Sequence, residues 1–186
     1  MIVTGDTSAS AVLEIWTVGH SSHTFEEFLA LLDSFRIDTL VDVRRLPGSR
    51  KFPHFDKEFL EVNMPLHDIR YLHLEDLGGR RKTSKASLNT AWRLQSFRGY
   101  ADYMETDAFQ KAAEQLERVG GSSRTAFFCA EAVWWSCHRS LIADYLKFKG
   151  WTVLHIMGIG KAQEHPYTQP ARIVGNQLVY SEVPSG

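Results

Sequence analysis

Residues 12–43 constrain the fold more than any other stretch, because two short apolar runs bracket one amphipathic helix signal. VLEIWTV at 12–18 is β-branched and aromatic, and Gly19 and His20 end it. Thr24 followed three residues later by Glu27 is a capping-box pattern. Phe25, Phe28, Leu29, Leu32 and Phe35 then recur at helical spacing and predict a helix over about 24–36. DTLVDV at 38–43 reads as a buried strand. Strand, helix, strand in this order is the unit that builds a parallel sheet.

The pattern recurs downstream. A short helix is expected over about 56–62, before Pro65, and IRYLHL at 69–74 reads as a strand. A helix opens at Thr106-Asp107, with Phe109, Ala112, Ala113, Leu116 and Val119 on one face and Gly120-Gly121 as its stop. TAFFC at 125–129 is a strong buried-strand candidate, followed by a loop and a helix from about Cys137 to Phe148 that Gly150 ends. WTVLHI at 151–156 is the next strand, and RIVGNQLVYS reads as a hairpin around Gly175-Asn176. The expectation is a single three-layer α/β domain over 12–180, with a mostly parallel central sheet flanked by helices and a flexible segment at 1–11. A chain of 186 residues and 21.2 kDa can bury such a core without disulfides. Two cysteines are too few for a disulfide scaffold, no apolar run reaches the roughly 20 residues of a membrane helix, and MIVTGDTSASAVLEIW lacks the parts of a signal peptide. A cytoplasmic protein without membrane association is expected.

Charge is distributed unevenly. The formal net charge is only −1, which excludes a grossly basic coat protein. Yet residues 43–55 carry Arg44, Arg45, Arg50 and Lys51, and residues 77–101 carry Arg80, Arg81, Lys82, Lys85, Arg93 and Arg98, with no acid in either window. Ten of the 21 basic residues therefore fall in two acid-free stretches. Interleaved with Trp92, Phe97 and Tyr100, they could neutralise phosphates and stack bases, a count that suits a polymer backbone; the alternative is an ordinary solvated face. Gly78-Gly79 signals a tight bend or a close backbone approach.

The residues most able to carry chemistry are Cys129 and Glu131, then Cys137, His138 and Arg139. Cys129 ends a predicted central strand, where open α/β sheets bind ligands. Cys137 and His138 are expected in the first turn of the next helix, whose free N–H groups attract anions and lower thiol pKa values. Arg139 adds a fork for phosphate or carboxylate. His20 is a candidate general acid or base, and Asp42 could orient a base or hold an arginine. Trp134 and Trp135 could stack on a base or wall the site, while His73 lies on a strand and His155 faces the core or sheet edge. A metal held by Cys129, Cys137 and His138, completed by Glu131 or His20, is a further option. Against it, neighbours in a helix point about 100° apart, so no metal or other cofactor is expected as the first reading.

TVGHS at 17–21, LVDVRRLPGSRKFPHF at 40–55, YLHLEDLGGRR at 71–81, FRGYADYMETDAF at 97–109 and CAEAVWWSCHRSLIADYL at 129–146 together resemble the DUF488 family, whose function is unknown, over residues 16–156. The resemblance implies a compact α/β domain with Gly19, His20, Asp42, Arg44, Arg45, Pro47, Gly78, Gly79, Tyr100, Cys129, Glu131, Cys137, His138 and Arg139 at motif positions. In outline, a cysteine ending a strand before an anion-cradling loop is also similar to rhodaneses and cysteine phosphatases, although the loop to Arg139 is longer and carries a second cysteine. The leading expectation is an enzyme acting on a nucleic acid or nucleotide-like phosphorylated substrate. It would use His20, Cys129, Glu131, Cys137 and His138 for chemistry and Asp42, Arg44, Arg45, Arg80, Arg81, Tyr100 and Arg139 to hold the substrate. The alternatives are a non-catalytic nucleic-acid-binding module and a metal-binding protein.

Overall fold

A computed structural model describes residues 12–183; the expectation for 1–11 lies outside that range. In chain order the elements are β1 (Glu14–Gly19), α1 (Phe25–Asp33), β2 (Thr39–Asp42), α2 (Lys57–Asn63), β3 (Arg70–His73), α3 (Gln95–Met104), α4 (Asp107–Ser122), β4 (Thr125–Cys129), α5 (Arg139–Phe148), β5 (Thr152–Gly158), β6 (Lys161–Glu164), β7 (Arg172–Val174) and β8 (Gln177–Val179). Six strands form one sheet in the order β3-β2-β4-β1-β5-β6, with β7 and β8 as a separate hairpin. The first five of these are parallel, and β6 runs antiparallel on β5. The chain is thus an α/β domain with a mixed, mostly parallel sheet flanked by helices.

Strand alternation divides the core in two. Ile15, Phe127 and Val153 point to the face covered by α3, α4 and α5, where Tyr100, Phe109, Leu116 and Leu141 pack. Trp16, Val18, Leu40, Ala126 and Phe128 point to the other face, against Phe28 and Leu32 of α1 and Leu60 of α2. Every residue of β4 is buried, as expected of a central parallel strand covered on both sides. Each phenylalanine placed there contributes about 1.5–3 kcal/mol relative to exposure.

The capping box at α1 forms: the Thr24 Oγ1 accepts from the Glu27 N–H at 3.2 Å, and the Thr24 N–H donates to the Glu27 carboxylate at 2.8 Å. The helix stops at Asp33 rather than 36, because Arg36 takes a left-handed conformation at φ 53° and turns the chain toward β2. Gly120-Gly121 does not stop α4, which runs on to Ser122. Gly120 instead admits the Trp151 ring, since a Cβ there would lie 3.0 Å from it. The second acid-free window runs into α3, an element absent from the sequence reading, whose Phe97, Tyr100, Ala101 and Met104 form a buried stripe at helical spacing. The hairpin around Gly175-Asn176 is present, with Gly175 at φ 60°.

Candidate functional site

The register of the parallel strands brings four loops to one sheet edge. Gly19 pairs with Cys129, and Asp42 lies beside both Phe128 and His73, so β1, β2, β3 and β4 end level with one another. The backbone joins them: the His20 N–H donates to the Cys129 carbonyl at 2.9 Å and the Val43 N–H to the Phe128 carbonyl at 3.1 Å. A cavity of about 790 Å³ opens at this edge. Of the twelve residues expected to form the site, all but Asp42, Arg81 and Arg139 line it.

Cys137 and His138 are not in the first turn of α5. Cys137 follows a single tight turn at Trp134–Ser136 and has extended backbone (φ −125°, ψ 147°), whereas His138 is the residue that caps α5. The objection that helical neighbours diverge by about 100° is thereby removed. The His138 Nε2 donates to the Val43 carbonyl at 2.9 Å, which leaves Nδ1 with its lone pair, 3.6 Å from the Cys137 Sγ. Gly79 makes room for this ring, since a Cβ there would lie 3.0 Å from Nδ1. The ligand atoms of Cys129, Cys137 and His138 all lie within 4.8 Å of one another.

Beneath the thiols sits Arg139, only 2% exposed and with no carboxylate within ion-pair distance among the described residues. Its guanidinium donates to the Thr17 Oγ1 at 2.9 Å and to the Glu131 carbonyl at 2.8 Å, its Nε has no partner, and its backbone N–H points at the Cys137 Sγ at 3.5 Å. Burial pushes the Cys129 thiol well up, reinforced by the neighbouring Cys137 sulfur. Burial would raise Cys137 too, but a hydrogen bond from Cys129 and the charge of Arg139 outweigh it and bring that thiol down to about 7. Desolvation also lowers the pKa of His138.

Gly19 is set by contact. A Cβ on it would lie 1.9 Å from the Glu131 carbonyl oxygen, the atom that also accepts from Arg139. The Glu131 carboxylate itself is in the exposed part of the loop. Tyr100 donates to the Leu77 carbonyl at 2.7 Å and packs 5.2 Å from the His138 ring.

Asp42 holds Arg44 through two contacts, Oδ1 to Nε at 2.9 Å and Oδ2 to Nη2 at 2.6 Å, and also accepts from the Tyr71 hydroxyl. The Arg44 Nη1 faces the His20 Nε2 at 3.4 Å, while the His20 Nδ1 donates to the Ser21 carbonyl at 2.9 Å. His20 is stacked on Phe55 at 4.2 Å, and burial followed by the Arg44 charge lowers its pKa to about 4. Arg81 donates to the Gly78 carbonyl and lies 3.7 Å over the Tyr103 ring, away from the cavity wall. The His73 Nε2 donates to the Arg44 carbonyl at 2.8 Å.

A chain of buried groups escaped the sequence reading. Because the Arg139 Nη1 can only donate to Thr17, the Thr17 proton goes to the His155 Nδ1 at 2.8 Å. The His155 Nε2 then donates to the His165 Nδ1, and the His165 Nε2 to the Asp144 Oδ1, both at 2.8 Å. Asp144 also accepts from the Thr168 backbone and the Tyr180 hydroxyl. Every link donates in the same direction, from guanidinium to carboxylate. Trp134 stacks on His155 at 4.4 Å instead of walling the cavity, and Trp135 is 55% exposed. The four residues are too far apart in sequence for any spacing signal; only the burial of His155 was readable.

No helix among the described residues is long and apolar enough to cross a membrane. Comparison with curated proteins and with solved structures returns no match. A family model covers residues 24–146, which include the Asp42–Arg45 loop, the glycine pair and the whole Cys129–Arg139 segment, and the chain belongs to that family, the domain of unknown function DUF488.

Proposed function

We propose that Cys129, Cys137 and His138 hold a thiophilic divalent cation, zinc in the first instance, with one coordination position facing the cavity. The observation that carries this reading is the convergence of two sulfurs and one imidazole nitrogen within 4.8 Å. Zinc–sulfur and zinc–nitrogen bonds of about 2.3 and 2.05 Å at a tetrahedral angle put the two ligand atoms about 3.6 Å apart. The Cys137 Sγ and His138 Nδ1 are 3.6 Å apart. The Val43 carbonyl orients His138 as outer-sphere acceptors orient metal-bound histidines. Two thiolates balance a divalent charge, and the absence of a carboxylate from the trio favours zinc over magnesium or calcium. Three protein ligands and one open position is the arrangement of catalytic zinc, which supplies an activated water or polarises a bound oxygen.

Untagged protein purified under reducing conditions without chelator should contain about one zinc per chain. Cys137→Ser and His138→Ala should lose it while keeping the wild-type circular dichroism spectrum. Cobalt added to the apoprotein should give thiolate-to-metal charge-transfer absorption. Wild-type protein that carries no metal and takes up neither ion overturns the reading.

A second reading rests on the Arg139 backbone N–H directed at the Cys137 sulfur and the buried guanidinium beside it. In this reading Cys137 is a free thiolate nucleophile, with Cys129, His138, Glu131 and His20 around it, in a domain distantly similar to rhodanese in outline. It predicts metal-free protein in which iodoacetamide labels Cys137 ahead of Cys129. Both readings need reduced thiols, which fits a cytoplasmic location; both cysteines are free.

A further inference from the structure

We propose that the cavity binds the phosphate group of a small phosphorylated molecule, held by Arg45, Lys51 and Arg80 at the mouth above the thiol cluster. The charge balance of the wall supports this. Arg44 spends its charge on Asp42, but no carboxylate lies within ion-pair distance of Arg45, Lys51 or Arg80 among the described residues. Glu131 is the one acidic residue on a wall that carries all three. Like charges gathered round a concave surface repel one another until an anion enters.

The two acid-free windows of the sequence meet at this point. The Arg45 Nη1 donates to the Arg80 carbonyl at 3.2 Å, and Gly78 packs so closely on Arg45 that a Cβ would lie 2.6 Å from its Cα. Arg80 is held in the left-handed region at φ 60°, a conformation that a non-glycine residue keeps only where its surroundings impose it. The two loops are therefore built against each other, with both guanidinium groups facing solvent and cavity.

A small ligand is favoured over a strand of nucleic acid because two of the cations off the wall are already engaged within the fold. Arg81 is occupied by the Gly78 carbonyl and the Tyr103 ring, and Arg98 by the Trp92 and Thr90 carbonyls. They satisfy the backbone of the long connection before α3. Four of the ten cations from the two windows line the cavity, and with Arg44 paired to Asp42 three are left, enough for one phosphate and too few for a polymer footprint. A volume of about 790 Å³ falls in the range of small-molecule sites.

The phosphate site stands on its own charges and does not rest on the metal reading. The test is calorimetric titration of the full chain, as purified, with inorganic phosphate, alongside measurement of metal content. Saturable binding is expected, weakened about tenfold in Arg45→Gln and in Arg80→Asn, which keeps a residue tolerant of the left-handed conformation. Arg50→Gln should bind as wild type, since Arg50 lies in the same window but off the wall. Metal content should be unchanged in all three variants. Absence of phosphate binding, or equal binding in the Arg45 and Arg80 variants, overturns the proposal whether or not metal is present. Tighter binding of a 20-nucleotide single strand that excess phosphate does not displace also overturns it, in favour of a polymer. Arginine-dependent phosphate binding in metal-free protein supports this site and refutes only the metal.

Discussion

Gly19, the last residue of β1, and Gly48, in the loop after β2, answer to different physics. At Gly19 the Glu131 carbonyl occupies the space of a side chain, at 1.9 Å from where a Cβ would stand; at Gly48 nothing lies within 4 Å. Gly19→Ala must push the 130–136 loop outward, and with it the carbonyl that accepts from Arg139. Overpacking of this kind costs about 1–3 kcal/mol. Thermal denaturation should show a melting temperature lower by about 2–10 °C for Gly19→Ala and a change within error for Gly48→Ala. Because the displaced loop connects Cys129 to Cys137, the Gly19 variant should also retain less metal than Gly48→Ala under the same purification.

The chain from Arg139 to Asp144 ties β1 and β5 to α5, and it requires His155 to be neutral with the proton on Nε2. Burial, then the nearby His165 and Arg139, hold the His155 pKa down to about 2. An unfolded histidine takes up a proton near pH 6.5 and this folded one does not, so its contribution to stability is complete above pH 6.5 and is lost as the pH falls from there toward 2. Between pH 6 and 4 the wild type should lose stability more steeply than His155→Gln, by about 1.4 kcal/mol per pH unit in denaturant titrations. Equal slopes would mean that His155 is already charged in the native state. Beyond the burial of His155, this chain was not legible, since Thr17, His155, His165 and Asp144 follow no period. The strands were, because each is a short, unbroken apolar run. Helix ends were read less well where tertiary contact overrode a local rule: Trp151 packing on Gly120 carries α4 past its glycines, and the extended backbone at Cys137 delays α5 to Arg139. That delay matters most for the site. Cys129, Cys137 and His138 stood out as chemically loaded residues, but their convergence depends on the Val43 carbonyl and Gly79, which no local pattern connects to them.

At the scale of the whole molecule, the sheet order places β4 between β2 and β1, with β5 on the far side of β1. The first half of the chain can pair β2 with β3, but β1 meets neither of its neighbours until residues 125–129 and 152–158 have been made. A chain emerging from the ribosome therefore carries Ile15, Trp16 and Val18 without a sheet to bury them until β4 has been made, a situation that favours chaperone contact and aggregation. A fragment ending at Arg124 should express as an unfolded or insoluble product, with amide exchange too fast to measure throughout β1, whereas adding the complementary segment from Thr125 onward in trans should restore protection there. The same late strand carries Cys129 at its end, so the residues that gather at the sheet edge have no common location until β4 has been made. The metal centre proposed above would then take its folded geometry only after β4 has joined the sheet.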